Sequence, residues 1–476
     1  MTNVRWLTNG LFACLLLASC TGQTTSSPQA KVSHPVAIPH ADTEWTTYMG
    51  DAMRTGVGPT SPKLNKLRRT WTAQVEGDVY AEPLVTGGAV IVATEKNNVY
   101  ALDAATGSQR WHVALGQPVP RSKLECGYID PNGVTSTPVI DAKSGTVYVV
   151  AFIDEPMHHE LFAISLAGGQ TMWHRKVDPP GEDPAHQQQR GSLNLSRGRV
   201  YFTYGGFTGD CGNYHGWVIG APVDGTSALA SFQVPSINRG AVWAPPGTVI
   251  VPGGDVWFAS SDTDQLQSIG DWDGNNGVWR LPADLSRPLD SWTPANWLYL
   301  NRNDIDQGSF APAVMSNGLI FDTGKYGIGF LLRQDKLGGV GGEAYQSKVC
   351  TTGGPAGGSF GGAAVSQDSL YVPCRDGIVA IHVDAKAATF SIAWRGAQQF
   401  PDTPILAYGL LWTVTSESGS YRLPWKDGKL WALDPATGAV VAMIPLGGVP
   451  HFASPAATAG SIYVAGLGSV YALSVA

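Results

Sequence analysis

The chain carries little charge, and no run of one sign. Asp, Glu, Lys and Arg make up 14% of its 476 residues and the net charge is −7, whereas about a quarter of a typical soluble chain is charged. No basic cluster interrupts this acidic balance, and a nucleic-acid-binding surface requires one. The composition therefore argues against a nucleic-acid partner.

Long helical patterns are also missing. Outside the N-terminus, no long segment repeats its apolar residues at the helical period. The 58 glycines and 16 tryptophans occur instead among short alternating segments bounded by turns, which is typical of an all-β chain. The N-terminal apolar run, residues 11–17, is shorter than the roughly 20 residues of a membrane-spanning helix.

The N-terminus has the features of a targeting segment. Arg5 precedes the short apolar run, as in a signal peptide. The run ends in Leu17-Ala18-Ser19-Cys20, which resembles the lipobox of bacterial lipoproteins, whose cysteine becomes the lipidated first residue. The alternative is an ordinary cleaved signal peptide. We expect a signal peptide at 1–19, lipid on Cys20, and an exported protein held to the membrane in the periplasm or at the cell surface.

The residues after Cys20 divide into a tether and one folded region. Residues 20–42 are rich in Thr, Ser, Gln and Pro, which is typical of a flexible linker. The remaining cysteines are even in number, which in an exported chain indicates disulfides. Cys350 precedes a predicted repeat unit and Cys374 ends one of its strands, so we expect Cys350–Cys374 and, by difference, Cys126–Cys211. A Cys-x-x-Cys-His motif is absent, so no covalently attached c-type haem is expected.

A hairpin sequence recurs along the chain. In residues 99–111, apolar and small residues alternate up to Asp103, as in a half-buried strand, and Gly107 supplies the positive φ that the following turn needs. A second strand then carries Trp111. Residues 430–438 repeat the same pattern near the other end of the chain.

This pattern, Ala-x-Asp-x-x-Thr-Gly-x-x-x-Trp, resembles the repeat of the quinoprotein (PQQ-type) β-propellers. Eight units recur about every fifty residues, and their first strands begin near Pro83, Pro138, Ser192, Trp243, Pro312, Gly362, Pro404 and Pro455. We therefore expect an all-β, eight-bladed β-propeller over residues 43–476. The last unit lacks an outer strand, which residues 67–75 can supply, with Trp71 in the place of Trp111. Closing the ring in this way pairs two otherwise open sheet edges.

Three segments resemble the cofactor site of the quinoprotein alcohol dehydrogenases. In residues 239–243, Trp243 matches the tryptophan under the quinone ring, where a flat aromatic suits stacking. In residues 303–306, Asp304 matches the general base of alcohol oxidation. Lys325 matches the lysine that polarises a quinone oxygen, and a cation stabilises charge developing there.

Other positions depart from that family. Residues 259–262 replace the turn whose Asn holds Ca²⁺, leaving Asp262 as a metal ligand, and residues 205–217 match the segment of the Ca²⁺-binding Glu only loosely. Asp210 and His215 are the cofactor-binding candidates there. The family's arginine in that segment and its adjacent cysteine pair are absent.

Each of these residues also has a structural explanation. Trp243 could pack between blades, Asp304 and Asp306 could accept backbone N–H groups, and Lys325 could be solvated in its turn. The loop from Asp210 to His215 could be held by a disulfide without binding a ligand. The functional alternative places all these side chains around one mouth of the channel, with Trp243 as the floor of a polar pocket.

Two functions fit this sequence. The first is a non-catalytic, lipid-anchored propeller that binds a protein or glycan, which resembles the propeller lipoprotein of outer-membrane protein assembly. The second is a dehydrogenase that uses PQQ with Ca²⁺ to oxidise an alcohol or sugar, with Asp304 as its base. The missing Ca²⁺-binding Asn, arginine and cysteine pair favour the first.

Overall fold

The computed structural model describes residues 43–264, 270–416, 425–458 and 460–475. The predicted signal peptide, the tether and Cys20 lie outside these residues and remain predictions. Over the described part of the chain, no helix has the length and apolarity that crossing a bilayer requires.

Eight sheets, each built on four antiparallel strands, form the blades of a β-propeller, one for each predicted repeat. The first strand of the described residues, β1 (Arg68–Gln74), belongs to the last blade. Blade 1 contains β2 (Leu84–Thr86), β3 (Ala89–Ala93), β4 (Asn98–Asp103) and β5 (Gln109–Ala114). Blade 2 contains β6 (Val139–Asp141), β7 (Thr146–Ile153), β8 (His158–Ser165) and β9 (Thr171–Lys176). Blade 3 contains β10 (Asn194–Ser196), β11 (Arg199–Tyr204), β12 (Trp217–Pro222) and β13 (Ala230–Gln233).

The middle blades include the only α-helix among the described residues. Blade 4 contains β14 (Val249–Ile250), β15 (Val256–Ala259), β16 (Val278–Leu281) and β17 (Asp290–Thr293), and helix α1 (Trp297–Arg302) follows it. Blade 5 contains β18 (Ala313–Val314), β19 (Leu319–Asp322), β20 (Ile328–Arg333) and, after β21 (Gly339–Val340), β22 (Tyr345–Lys348). Strand β21 leaves its own blade and pairs in parallel with β17, so blade 4 has five strands.

The last three blades complete the ring. Blade 6 contains β23 (Ala364–Ser366), β24 (Ser369–Cys374), β25 (Gly377–Asp384) and β26 (Thr389–Arg395). Blade 7 contains β27 (Ile405–Ala407), β28 (Leu410–Thr415), β29 (Trp425–Leu433) and β30 (Val440–Val449). Blade 8 contains β31 (Ala456–Thr458), β32 (Ser461–Gly466) and β33 (Ser469–Ser474), with β1 as its outer strand.

The recurring hairpin joins neighbouring blades. In blade 1, the Asp103 carboxylate accepts the backbone N–H groups of Ala105 and Thr106, which fixes the turn, and Gly107 has φ +74°. A Cβ on Gly107 would lie 2.7 Å from the Trp71 ring, so glycine lets the indole of the neighbouring blade pack against the turn. The Trp71 Nε1–H donates to Ala104 O at 3.0 Å.

The same contact recurs around the ring. Trp111 of blade 1 packs against Gly169 of blade 2 and donates to Leu166 O at 2.9 Å. Trp394 of blade 6 packs against Gly438 of blade 7 in the same way. The Trp of each of these blades therefore packs against the Gly of the next blade, so the two residues of the repeat motif form one contact between blades.

Strand β1 closes the ring as the sequence predicts. It pairs antiparallel with β33, with Trp71 opposite Ala472. Because Trp71 also contacts the turn of blade 1, one strand joins the last blade to the first. The prediction that Trp71 takes the place of Trp111 is confirmed.

Residues 44–58 form an element that the sequence analysis missed. This segment exchanges backbone hydrogen bonds with first strands around the ring, including Trp45 with Val85 of blade 1, Ala52 with Ile250 of blade 4, and Gly56 with Leu406 of blade 7. In blade 4, Trp243 lines the cavity described below, and Ile250, farther along in the first strand of that blade, bonds Ala52. In blade 6, Phe360 lines the cavity and Val365 bonds Thr55 in the same way. Residues 44–58 therefore close the end of the channel opposite that cavity.

Candidate functional site

A cavity of about 390 Å³ lies at the other end of the channel, within the roughly 300–1,000 Å³ of small-molecule sites. Its wall comes from connections that precede or interrupt blades 2 to 6 and blade 8. Five of the predicted site residues line it, namely Asp210, Trp243, Asp262, Asp304 and Lys325. Segments more than a hundred positions apart in sequence thus meet in one cavity.

Lys325 is the centre of the charged part of the wall. Its Nζ lies 2.9 Å from Asp304 Oδ1 and 2.5 Å from Asp306 Oδ2. The Lys325 backbone N–H donates to Asp306 O at 2.9 Å, which places the turn after β19 against the segment that follows α1. Burial alone would lower the pKa of Lys325, but the charges of Asp306 and Asp304 outweigh it and raise that pKa. Lys325 is therefore a buried cation that lines the cavity, and not the solvated lysine of the structural alternative.

Asp304 has an unusual backbone conformation. Its φ is +53°, a left-handed conformation that costs free energy in a residue with a side chain and is found often at functional sites. The end of helix α1 imposes it, since the N–H groups of Asp304 and Ile305 turn back to the carbonyls of Asn301 and Leu300. Burial raises the pKa of Asp304, and Lys325 opposes that shift.

Asp262 completes a group of three carboxylates. Oxygens of Asp262, Asp304 and Asp306 lie within 4.8 Å of one another. The Asp262 backbone N–H donates to Asp306 Oδ1 at 3.1 Å, so the predicted backbone role of Asp306 is also present. Burial and the neighbouring Asp306 raise the pKa of Asp262 well above its ordinary value. Burial would also raise the pKa of Asp306, but Lys325 and the hydrogen bonds from Asp262 hold it below the ordinary value.

The carboxylates have the donor chemistry of a cation site. Hard cations such as Ca²⁺ bind carboxylate, carbonyl and hydroxyl oxygens. The neighbouring Ser261 Oγ is buried without a hydrogen-bond partner and belongs to the same cavity wall. A cation here would offset the burial and the Asp306 charge that raise the pKa of Asp262, and it would give Ser261 a partner. Asp262, Asp304 and Asp306 therefore fit a metal ion that is oxygen-seeking.

The loop between β11 and β12 carries Asp210 to the cavity. The Asp210 carboxylate accepts a hydrogen bond of 2.5 Å from the Tyr214 hydroxyl, and burial raises its pKa. The Cys126–Cys211 disulfide, with Cα atoms 5.9 Å apart, ties this loop to the connection between blades 1 and 2. The second disulfide joins Cys350 to Cys374, so both predicted pairs are present.

His215 does not line the cavity, in contrast to the prediction. Its Nδ1 lies 2.9 Å from Glu182 Oε1, and the same carboxylate oxygen accepts the Trp217 Nε1–H at 3.1 Å. The hydrogen bond to Glu182, larger than the opposing effect of burial, raises the pKa of His215. Asp210 and Tyr214 face the cavity from this loop, while Glu182 holds His215 outside its wall.

Aromatic rings form another part of the wall. The Trp243 ring centroid lies 6.1 Å from that of Phe360 and 6.3 Å from that of Phe452. Arg190, Tyr128 and His451 line the cavity beside these rings. None of these five neighbours of Trp243 was predicted. Their sequence positions could have indicated two of them, because Arg190 and Phe452 precede the first strands of their blades, as Trp243 does.

Comparisons with known proteins agree with this architecture. Residues 65–207 match the PQQ_2 family model, described as outer membrane protein assembly factor BamB. The chain is an eight-bladed β-propeller with the quinoprotein fold. No curated protein matches it by sequence.

The similar solved structures include both enzymes and an assembly factor. Quinohemoprotein alcohol dehydrogenase from Comamonas testosteroni is 15% identical with a TM-score of 0.66, over 91% of this chain and 80% of that chain. A europium-containing methanol dehydrogenase is 13% identical with a TM-score of 0.66, over 91% and 98%. BamB from Moraxella catarrhalis is 12% identical with a TM-score of 0.55, over 86% and 98%. At these identities the likeness concerns the fold.

Proposed function

We propose that the cavity binds a planar quinone of the PQQ type together with an oxygen-seeking cation, and that the protein oxidises an alcohol or sugar there. The observation that carries this proposal is the meeting of Trp243, Asp304 and Lys325 in one cavity. These residues resemble the cofactor floor, the base and the quinone-polarising cation of the quinoprotein dehydrogenases, and they come from three separate segments.

The cost of the charged wall supports a ligand role. Burying Lys325, Asp262 and Asp306 removes their charged groups from water, and paired buried charges seldom stabilise a fold more than apolar side chains would. Such clusters in a cavity are typical of functional sites. A scaffold that binds partners through its outer surface has no need of them. This reverses the preference that the sequence alone suggested.

The residues present have suitable roles for this chemistry. A bound quinone would supply the acceptor for the two electrons and the C–H hydrogen that leave the alcohol. Asp304 is the partly exposed carboxylate of the cluster, with 48% of its side chain accessible, so it can accept the hydroxyl proton of a substrate. Its raised pKa makes it a better base, and Lys325 keeps a positive charge beside it. Trp243 offers a flat face for stacking.

A dye-linked dehydrogenase assay tests this function. The purified protein, supplied with PQQ and Ca²⁺, should reduce the dye with a panel of primary alcohols and sugars. Asp304→Asn should lower kcat by at least about 100-fold, as expected for the loss of a general base, while quinone binding persists. Asp271→Asn changes an exposed carboxylate and should have no effect. Activity that is the same in Asp304→Asn would contradict the assignment of the base.

A scaffold function is the second candidate, because residues 65–207 match the assembly-factor model. Outer strand β30 also exposes Val440, Val441 and Met443, an apolar surface that could contact a protein. In a scaffold, Asp304→Ala would leave partner binding unchanged. Cross-linking in intact cells compares the Asp304→Ala and Val441→Glu variants and separates the two functions. A partner that binds the outer strand should be lost from the cross-linked product only in Val441→Glu.

We also propose that the protein is exported and lipidated on Cys20. Two disulfides and the likeness to an outer membrane assembly factor support an extracytoplasmic location. Intact-mass measurement of the membrane-extracted protein should give a chain that begins at Cys20 with diacylglyceryl attached. A soluble chain with another N-terminus would contradict lipidation.

A further inference from the structure

Arg190 lies in the cavity wall with its charge buried. Its side chain is 8% exposed. One guanidinium N–H donates to His451 Nε2 at 2.9 Å, a second approaches the Tyr128 hydroxyl at 3.5 Å, and the guanidinium carbon lies 4.8 Å from the centre of the Phe452 ring. All four side chains line the cavity.

Among the residues that the structure describes, Arg190 has no carboxylate partner. In the described ranges, no Asp or Glu oxygen lies within ion-pair distance of Arg190, although Lys325 in the same wall has two. Glu95 and Asp402 influence Arg190 only from farther away. Burial raises the pKa of Glu95 to about 7 and that of Asp402 to about 8, so neither carries a full negative charge at neutral pH.

His451 cannot supply the missing charge either. Burial lowers its pKa to about 3, so the imidazole is neutral and can accept the Arg190 N–H. This hydrogen bond holds the guanidinium in place but does not neutralise it. His451 is a positioning residue for Arg190.

A buried, unpaired guanidinium beside a cavity is suited to an anionic ligand. Leaving such a charge uncompensated is costly, and the planar guanidinium matches the two oxygens of a carboxylate. The adjacent Trp243, Phe360 and Phe452 rings, with centroids 6.0 to 6.3 Å apart, form an aromatic part of the wall next to it. The ligand that fits both features is a carboxylate attached to a flat apolar body.

We propose that Arg190 and Tyr128 form a carboxylate subsite of this cavity, which takes a small aromatic organic acid. The Arg190 guanidinium would bind the carboxylate, and the Tyr128 hydroxyl, which contacts His451 Nε2 in the structure, would turn its proton to the ligand, while the body of the acid lies against Trp243 and Phe452. The subsite requires neither quinone nor metal. The carboxylate could come from a free acid or from a carboxyl group of a quinone cofactor, and the test separates these sources.

Calorimetric titration of the full chain with benzoate, without quinone or metal, tests the subsite. Benzamide has the same shape without the charge, and PQQ is titrated separately. The wild type should bind benzoate at least tenfold more tightly than benzamide. Arg190→Gln should weaken carboxylate binding at least tenfold, and Arg190→Lys should weaken it less. Arg375→Gln is the matched control, because Arg375 lies 5.3 Å from the Phe360 ring but does not line the cavity.

The outcomes distinguish the sources and the proposals. Weaker benzoate binding in Arg190→Gln identifies a free-acid subsite, whereas weaker PQQ binding alone identifies a subsite for the cofactor carboxylate; both support the inference. The inference is overturned if the wild type binds benzoate and benzamide equally and Arg190→Gln leaves the PQQ affinity unchanged. It is also overturned if a folded Arg190→Gln variant binds both benzoate and PQQ as the wild type does. If Arg190→Gln does not fold, Tyr128→Phe should weaken binding severalfold, and no change would overturn the inference. Failure of the proposed dehydrogenase function would appear in the Asp304 and Lys325 variants, which do not enter the benzoate titration.

Discussion

Lys325 and Asp304 stand 21 positions apart in the chain, yet Nζ of one lies 2.9 Å from Oδ1 of the other. The turn of blade 5 brings the lysine to the segment that follows helix α1, and Asp306 binds the same ammonium group. This arrangement places one buried cation among three carboxylates at the mouth of the channel. The account of function rests on it.

The carboxylate group should bind a trivalent probe of oxygen-seeking cations. We expect Tb³⁺ to bind with luminescence sensitised through tryptophan, because Trp243 lines the same cavity. Asp306→Asn should weaken binding at least tenfold, while Asp271→Asn should not. Affinity should rise with pH as Asp262 loses the proton that its raised pKa retains. Equal affinity in Asp306→Asn and the wild type would refute this metal site.

Buried Asp402 should make stability depend on pH. Burial raises its pKa in the folded protein to about 8, compared with about 3.9 for an exposed aspartate. Below about pH 4 the protonated Asp402 makes its whole contribution to the free energy of unfolding. This contribution decreases as the pH rises from about 4 to about 8 and does not change further above about pH 8. Relative to the wild type, Asp402→Asn should therefore gain stability from pH 4 to 8, on the order of a few kcal/mol.

Chemical denaturation of both proteins across this pH range measures the difference. Glu82, Glu95 and His451 also titrate with shifted pKa values, but they are common to both proteins and largely cancel. A difference in unfolding free energy that does not vary with pH would show that Asp402 is not held protonated in the fold.

The segment that closes the channel should be essential for stability. The Arg54 guanidinium donates to Thr47 Oγ1 at 2.6 Å, to Tyr48 O at 2.8 Å and to Leu193 O at 2.9 Å. Arg54→Ala leaves these acceptors unpaired in a buried site and should cost about 3–5 kcal/mol of unfolding free energy. Arg110→Ala removes an exposed ion pair with Asp103 and should cost less than about 1 kcal/mol. Similar losses in urea denaturation would argue against a closing role for residues 44–58.

The two disulfides should differ in their effect on ligand binding. Loop closure predicts a contribution of about 3 kcal/mol for Cys350–Cys374 and about 4–5 kcal/mol for Cys126–Cys211. Replacing either pair with serines should thus lower the melting temperature. Only the second replacement should weaken quinone binding, because Cys211 follows Asp210 directly in the loop that lines the cavity. Unaltered quinone affinity in the Cys126→Ser, Cys211→Ser variant would show that the loop keeps its place without the bond.

Much of the fold could be predicted because the repeat encodes its own contacts. Asp103, Gly107 and Trp111 specify a turn, a close approach and the indole that fills it, and each is readable from residue type alone. Residues 44–58 could not be predicted in the same way. The apolar residues of this segment do not recur at the spacing of a strand or a helix, and its backbone hydrogen bonds go to strands distributed over the whole ring.

The site was predictable where a residue resembled a family motif and not elsewhere. Trp243, Asp304 and Lys325 were found in this way, and the ring geometry brought them together. Arg190 and His451 matched no motif, and their importance comes from burial and from a contact across 261 positions. His215 was misplaced, because sequence cannot show that Glu182 holds it outside the cavity.

Equilibrium titration with PQQ, in the presence and absence of Ca²⁺ and followed by quenching of tryptophan fluorescence, tests the central claim most directly. The account predicts saturable binding of one PQQ per chain that Ca²⁺ strengthens and that Lys325→Gln weakens at least tenfold. Lys96→Gln, a change at an exposed ion pair with Glu76, should bind as the wild type does. No saturable binding by the wild type, or equal affinity in the folded Lys325→Gln variant, would contradict the assignment of this cavity as a quinone site.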